Sequence, residues 1–227
     1  MLNFQTKGLV LTDFKVIWLD VEMRENDETP AMSTVLINEL LRTYVHDLSL
    51  VPPAKARPEG DITYIAWSDL VADLFEKTKS SKTLIAAYTE AELDLLIQTL
   101  PAKKEHWERV YFNANARKWF QKHHPKIYND IFAKVKKSDS YARVGLKNFL
   151  THKAVGYKYP TNLRGFSPAK QINRLRVQFI RYGGVYKDYS AGSKRAWTNL
   201  VKYNREDVIG MQWLVQQIII NSKSKNT

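Results

Sequence analysis

One segment near the N-terminus limits what this chain can fold into. Residues 14–23 are rich in β-branched, aromatic and aliphatic side chains, and such a run predicts a buried strand. Within it, Asp20 and Glu22 are two positions apart, so both side chains leave the same face of the strand. Two carboxylates held side by side repel each other unless a cation joins them. The segment therefore predicts a buried strand with a pair of acids on one face.

The charge of the chain is divided unevenly along its length. Residues 1–100 contain 9 Lys and Arg against 16 Asp and Glu, whereas residues 101–204 contain 23 against 5. An acidic half joined to a strongly basic half suggests carboxylates that face a cationic surface across one groove. Nucleic acid is the polyanion that we expect on such a surface. The alternative is that Lys and Arg simply cover the solvated faces of helices.

Composition excludes several other classes of protein. The 227 residues suffice for one domain or two small ones, and a hydrophobic content of 44% excludes disorder over most of the chain. The absence of cysteine removes disulfides and thiolate zinc sites, so a metal would sit on oxygen or imidazole. No run approaches the roughly 20 apolar residues of a membrane span, and the first ten residues lack a signal-peptide pattern. We expect an intracellular, cytoplasmic protein without a membrane partner.

Strand patterns alternate with helical patterns, which predicts an α/β layer fold. Beyond the first strand, the apolar spacing predicts two strands (83–88 and 109–113) and helices at 61–78, 89–100 and 194–220, with further helical stretches around 114–122 and 146–155. Residues 1–220 are treated as a single domain, and residues 221–227 as a flexible tail.

Three segments have weaker patterns. Residues 24–31 are predicted to form a polar loop, and residues 34–44 fit a helix and a strand equally well. Residues 161–193 contain Pro, repeated Gly and many basic residues, so they are predicted to be the least regular part of the chain.

Four short motifs follow one another along the chain: Asp20-Val-Glu22, Tyr88-x-x-x-Glu92, a Gly-Leu-Lys-Asn-Phe…Val-Gly-Tyr-Lys-Tyr-Pro stretch at 145–160, and Tyr203-Asn-Arg-Glu-Asp207-Val. In this order they resemble the DEDD 3′–5′ exonucleases of the ribonuclease H-like superfamily. The greatest similarity is to a branch of predicted exonuclease domains that also occurs with RecB-type nuclease domains. The resemblance covers about residues 14–217.

The resemblance implies a ribonuclease H-like mixed sheet flanked by helices, in which four carboxylates hold two divalent cations. The implied metal ligands are Asp20, which would bridge the ions, with Glu22, Glu92 and Asp207. Mg²⁺ and Mn²⁺ are the expected ions, because hard cations prefer carboxylate oxygen and water. Two such ions can activate an attacking water and stabilise the leaving oxygen of a phosphodiester.

The final motif also implies a subclass and an activity. Tyr203 lies four residues before Asp207, on the same face of a helix, and matches the tyrosine subclass, in which that hydroxyl helps to position the water. The histidine subclass would need His at the position of Lys202. The implied function is a metal-dependent 3′–5′ exonuclease that hydrolyses DNA or RNA, with a single-stranded 3′ end as its substrate. The sequence gives no indication of protein partners.

Several alternatives stay open. Asp94 rather than Glu92 resembles the Phe-Asp element of the wider superfamily, and Thr89-Glu-Ala-Glu92 is also a capping box that satisfies a helix N-terminus. Tyr203 also fits a packed aromatic residue, and Asn204 is a candidate to support the site through hydrogen bonds. The two antiparallel strands that normally follow the Asp-x-Glu strand are not evident. A second function is therefore a catalytically weak or inactive nucleic-acid-binding module on the same fold, and a third is a basic scaffold protein.

Overall fold

The computed structural model describes residues 2–3, 11–24, 27–56, 61–80, 82–138 and 144–223. Most of the first ten residues, on which the expectation of no signal peptide rests, and residues 224–227 of the predicted tail lie outside these ranges. The strands of the described residues are β1 (Leu2–Asn3), β2 (Lys15–Arg24), β3 (Asp27–Ile37), β4 (Leu40–Val45), β5 (Ile62–Tyr64), β6 (Thr83–Ala87) and β7 (Tyr111–Asn113). They form one sheet in the order β1-β7-β6-β2-β3-β4-β5.

Helices cover both faces of this sheet. Within the described residues they are α1 (Val51–Ala56), α2 (Trp67–Thr78), α3 (Ala91–Thr99), α4 (Lys104–Val110), α5 (Arg117–His123), α6 (Pro125–Ser138), α7 (Leu146–Leu150), α8 (Pro168–Arg181) and α9 (Ala191–Lys223). Side chains of α2, α3 and α4 share a core with one face, and side chains of α5 to α9 share two cores with the other. The predicted α/β fold is confirmed as a mixed sheet flanked by helices.

The burial of both faces of β2 follows directly from its sequence. Ile17 and Leu19 are fully buried in the core beneath α2 and α3, whereas Trp18 between them is buried in the core beneath α9. Each such burial stabilises the fold by about 1.5–3 kcal/mol. Because both faces are covered, the apolar run continues without alternation until the two acids, as the sequence predicted.

The prediction of a polar loop at 24–31 was wrong, because β3 begins at Asp27. β3 pairs antiparallel with β2, and β4 pairs antiparallel with β3. The two strands that the sequence did not reveal after the Asp-x-Glu strand are therefore present.

Two features concealed this hairpin. Residues 30–36 of β3 are buried throughout, so they lack the apolar–polar alternation that marks a half-exposed strand. The turn between β3 and β4 consists of Asn38 and Glu39, which have φ angles of 49° and 67°. Asn adopts this left-handed region readily, but the turn lacks the glycine that makes a hairpin recognisable in sequence.

Other boundaries shift by a few residues. The helix predicted at 61–78 begins at Trp67, and Ile62–Tyr64 form β5, which pairs parallel with β4. The strand predicted at 109–113 begins at Tyr111, because residues 109–110 complete α4. The predicted final helix is confirmed and extends to Lys223, so the first three residues of the predicted tail are helical.

The prediction that 161–193 is the least regular segment was wrong, because it contains the 14-residue helix α8. Ile172 and Leu175 of α8 are buried in a core shared with Trp197 and Leu200 of α9. Pro168 is compatible with the first turn of the helix. Basic residues on the exposed side of α8 separate these apolar positions in the sequence and conceal their helical spacing. None of the helices within the described ranges combines the length and apolar character needed to cross a membrane.

Candidate metal centre

Three carboxylates from two distant elements meet at one end of β2. Asp20 and Glu22 extend from β2, and Asp207 extends from α9, with one carboxylate oxygen of each lying within 4.8 Å of the others. β2 pairs parallel with β6 as far as Trp18, and β6 ends at Ala87. The acids therefore lie just beyond the carboxyl end of the neighbouring parallel strand, where α/β sheets commonly bind ligands.

The cluster has a high concentration of like charge. Burial, followed by the charges of Asp207 and Glu92, raises the pKa of Asp20 well above its usual range. Burial and then the charge of Asp20 do the same to the pKa of Glu22. Burial raises the pKa of Asp207 from 3.8 to about 6. Bringing three ionised carboxylates together is unfavourable without a cation, so this set of oxygen donors fits a hard divalent ion.

Asn204 fixes the position of Asp20. Its side-chain amide Nδ2 donates a hydrogen bond to Oδ2 of Asp20, and its Oδ1 accepts one from Thr34 Oγ1 at 2.5 Å. Thr34 is the cross-strand partner of Asp20 on β3, and Thr43 of β4 is the partner of Thr34, with the two hydroxyls 3.1 Å apart. Arg205 extends this series of hydrogen bonds, because its Nε donates to Thr43 Oγ1 at 2.9 Å.

Two tyrosines hold Asp207. Tyr159 donates its hydroxyl hydrogen bond to Oδ1 of Asp207 at 3.0 Å, and the hydroxyl of Tyr203 also bonds this carboxylate. Burial and then the negative charge of Asp207 raise the pKa of both tyrosines above the usual range. Both therefore stay protonated at neutral pH and act as donors. Tyr203 is also a packed residue, because its ring lies 5.2 Å from that of Phe166.

Lys147 of α7 provides a positive charge beside the acids. Its Nζ donates to the carbonyl oxygen of Phe166 at 3.2 Å and lies 4.1 Å from the centroid of the Tyr203 ring. Burial lowers the pKa of Lys147, and the charges of Asp207, Glu22 and Asp20 oppose that effect. The residue falls within the third motif, but a lysine on a short helix gives no signal in sequence that it faces three carboxylates.

Glu92 occupies a different position from the other three candidates. It is buried, and its Oε2 accepts a hydrogen bond from Thr89 Oγ1 at 2.6 Å. Thr89 Oγ1 in turn accepts from the backbone N–H of Ala91 at 3.2 Å. The N-cap residue of α3 is Glu90, which makes no side-chain capping hydrogen bond. Glu92 is not part of the three-carboxylate cluster, although its charge raises the pKa of Asp20 and Glu22. Asp94, the competing candidate, is exposed.

Aromatic and acidic residues form a rim beside Asp207. Tyr157 donates its hydroxyl hydrogen bond to Glu206 Oε1 at 2.5 Å, and its ring lies 5.1 Å from that of Trp213. Lys158, between the two tyrosines of the motif, is exposed. Except for Trp213, these residues belong to the third and fourth motifs, and the sequence did not distinguish which of their side chains lie near the cluster.

The fold and the cluster define an α/β protein with a candidate divalent-metal centre at the carboxyl end of its parallel strands. No family model matches the sequence, and no curated protein matches it either.

Proposed function

We propose that this protein is a metal-dependent nuclease of the ribonuclease H-like class that removes nucleotides from the 3′ end of DNA or RNA. One observation carries the proposal: carboxylate oxygens of Asp20, Glu22 and Asp207 lie within 4.8 Å of one another. Grouped carboxylates bind the Mg²⁺ or Mn²⁺ ions that phosphodiester hydrolysis uses. The choice of the 3′ end rather than the 5′ end rests on the motif resemblance.

The arrangement of the sheet supports the ribonuclease H-like assignment. β2 carries the Asp-x-Glu motif and is followed by the antiparallel strands β3 and β4. β6 joins the other side of β2 in parallel, and β7 is parallel to β6. A mixed sheet with two antiparallel strands after the acidic strand is what the resemblance implies, and the motif on α9 returns to the same end of β2.

Asp20, Glu22 and Asp207 are the residues that would hold the divalent ions. When bound, such ions lower the pKa of a water nucleophile and offset the charge of the leaving oxygen. Asn204 keeps the Asp20 carboxylate in place through its amide hydrogen bond. Tyr159 and Tyr203 restrain Asp207 as hydrogen-bond donors. Since Tyr203 stays protonated and its one O–H bonds Asp207, its oxygen can accept a hydrogen bond from a water but does not act as a base.

The basic half of the chain supplies candidate contacts for the substrate backbone. Lys158 is exposed beside Tyr159, which itself bonds Asp207. Further exposed basic residues lie on α5, α6 and α8. Phosphates bind Lys and Arg with release of counterions, whereas bases stack on aromatic rings. Of these residues, Lys158 lies next in sequence to a residue that bonds Asp207, which supports it as a contact for a strand whose 3′ end reaches the acidic cluster.

The direct test is hydrolysis of a 3′-labelled single strand in the presence of Mn²⁺. We expect release of labelled mononucleotides from both DNA and RNA substrates or from one of them, and loss of release in Asp20→Asn. Asp94→Asn is the matched control, since it removes an exposed acid from α3 and should retain activity. Metal-independent hydrolysis, or equal activity in Asp20→Asn, would contradict the proposal.

A nucleic-acid-binding module without catalysis is the second candidate, and one observation favours it. The fourth candidate ligand, Glu92, accepts a hydrogen bond from Thr89 at the start of α3 instead of joining the cluster. If this is the function, the protein binds single strands equally well with and without Mn²⁺. Binding would then survive Asp20→Asn, and no cleavage would occur at any Mn²⁺ concentration.

A further inference from the structure

Lys147 is unusual because its ammonium group lies near three carboxylates without forming an ion pair with them. Its Nζ bonds the neutral carbonyl of Phe166 and lies over the ring of Tyr203. Within the described ranges, no Asp or Glu oxygen comes within salt-bridge distance of it. An ammonium group has three donors, so the Phe166 carbonyl uses one and leaves the others for a further acceptor.

The charges of the proposed site leave a role for this lysine. Two divalent ions would carry four positive charges against the three negative charges of the clustered carboxylates of Asp20, Glu22 and Asp207. With Lys147 added, the loaded site would carry an excess of positive charge, which attracts the negative charge of a phosphodiester. Without metal, the same ammonium attracts the three clustered carboxylates. A fixed positive charge beside the acids therefore opposes metal entry and favours a bound phosphate.

We propose that Lys147 is a fixed cation of the site that contacts the reacting phosphodiester and thereby makes metal binding and nucleic-acid binding mutually dependent. This inference rests on the proposed function, because it assumes that the cluster holds divalent ions next to a phosphate. It adds a residue for which neither the acidic motifs nor the cluster geometry alone gives a role.

Position and rigidity support this assignment. α7 is held against α9 by a close approach at Gly210, where an added Cβ would lie 2.4 Å from Leu150 Cδ1. Lys147 lies three residues before Leu150 on the same short helix. The Phe166 carbonyl and the Tyr203 ring then restrict where its side chain can point. Because Tyr203 also bonds Asp207, the ammonium group is held beside the acids rather than free in solvent.

The test compares two affinities that should change in opposite directions. Removal of the charge in Lys147→Met should strengthen Mn²⁺ binding by the nucleic-acid-free protein about threefold to tenfold, since a neighbouring positive charge is lost. The same variant should bind a single-stranded oligonucleotide about tenfold more weakly in Ca²⁺, since a charge-assisted contact is lost. Titration calorimetry measures the first affinity, and fluorescence anisotropy measures the second on strands shown to remain intact.

A neutral linkage identifies the group that Lys147 contacts. With a methylphosphonate at the 3′-terminal linkage, the tenfold difference between wild type and Lys147→Met should disappear, because the charge that the lysine contacts is absent. Lys202→Met is the matched control, since it removes an exposed lysine from α9. It should leave Mn²⁺ affinity unchanged and weaken binding of both strands equally.

Two further variants keep the test decisive. Lys147→Arg retains the charge and should keep both affinities near those of wild type. Lys147→Gln retains a donor for the Phe166 carbonyl and replaces the Met variant if circular dichroism shows that the latter is unfolded. A parallel fall of both affinities would make Lys147 a purely structural residue and would overturn the inference. Failure of the wild-type protein to bind Mn²⁺ would instead overturn the proposed function, and this inference with it.

Discussion

Asn204 on α9 donates its side-chain hydrogen bond to Asp20 on β2, and the two residues are 184 positions apart in the chain. The orientation of the amide is fixed, because the Asp20 carboxylate only accepts hydrogen bonds, and the amide oxygen then accepts from Thr34 at 2.5 Å. The nitrogen must then face the carboxylate. All three residues lie in a buried or partly buried environment, where an unpaired polar group is costly. Thr34 therefore acts on the carboxylate of Asp20 through the side-chain amide of Asn204.

Replacement of Thr34 by Val removes the donor that orients Asn204. We expect the free energy of unfolding to fall by about 1–3 kcal/mol, because a buried oxygen loses its partner. We also expect weaker Mn²⁺ binding, because Asp20 loses its restraint. Urea denaturation and titration calorimetry measure the two effects. Thr63→Val, at an exposed position of β5, is the control and should change neither quantity.

Divalent ions should stabilise the folded protein. Because the cluster exists only after folding, a ligand that binds it raises the unfolding temperature in proportion to the logarithm of its concentration. We expect Mn²⁺ to raise the midpoint of thermal unfolding of wild type and of Asp94→Asn. The shift should disappear in Asp20→Asn and in Glu22→Gln. An equal shift in all four proteins would place the metal elsewhere.

The free energy of unfolding of the metal-free protein should fall as the pH rises from 5 to 7, because Asp207 loses its proton in that range. Its pKa is about 6 in the folded chain against 3.8 for an unperturbed group, so the folded state holds the proton more tightly than the unfolded state. The resulting stabilisation is complete below the unfolded pKa and is lost as the pH rises through about 6, with an upper limit of about 3 kcal/mol.

Asp207→Asn removes this titration and isolates its contribution. The free energy of unfolding of the variant, relative to wild type, should rise as the pH increases from 5 to 7 in the presence of a chelator. Urea denaturation at three pH values measures the difference. A difference that is independent of pH would show that Asp207 titrates equally in both states.

Gly210 allows α9 to approach α7. An Ala side chain there would place its Cβ 2.4 Å from Leu150 Cδ1, so either the fully buried Leu150 side chain must shift or the two helices must separate. Although Gly to Ala within a helix normally stabilises by about 1 kcal/mol, we expect Gly210→Ala to destabilise by about 1–3 kcal/mol. Gly145→Ala is the control, because its nearest contact would be an ordinary 3.8 Å. If Leu150→Ala added to Gly210→Ala did not recover part of the loss, this steric explanation would fail.

Binding of single strands should depend steeply on salt. Each phosphate contact releases counterions, so the logarithm of the affinity falls linearly with the logarithm of the salt concentration. Lys158→Met should reduce that slope by about 1 if the residue contacts a phosphate. Anisotropy titrations between 50 and 300 mM KCl, which is roughly the range where such slopes are measured, provide the data. An affinity that does not change with salt would exclude a cationic binding surface.

The sequence correctly predicted features whose geometry is local. Asp20 and Glu22 share a face because side chains in a strand alternate, and Tyr203 and Asp207 share a face because helical neighbours recur after four residues. The hairpin of β3 and β4 was missed for a tertiary reason. Burial on both faces removed the alternation on which strand prediction depends, and a turn without glycine gave no signal.

Spacing along the chain therefore determined which side chains share a face of an element, and the uneven charge indicated a basic surface. Only the tertiary structure decided which faces meet. In the folded protein, Lys147 lies beside the three acids, and Thr34 donates a hydrogen bond to the Asn204 amide. Glu92 accepts a hydrogen bond from Thr89 and lies outside the cluster. The physical reason is that local backbone geometry fixes directions within one element, whereas distances between elements depend on how their buried surfaces pack.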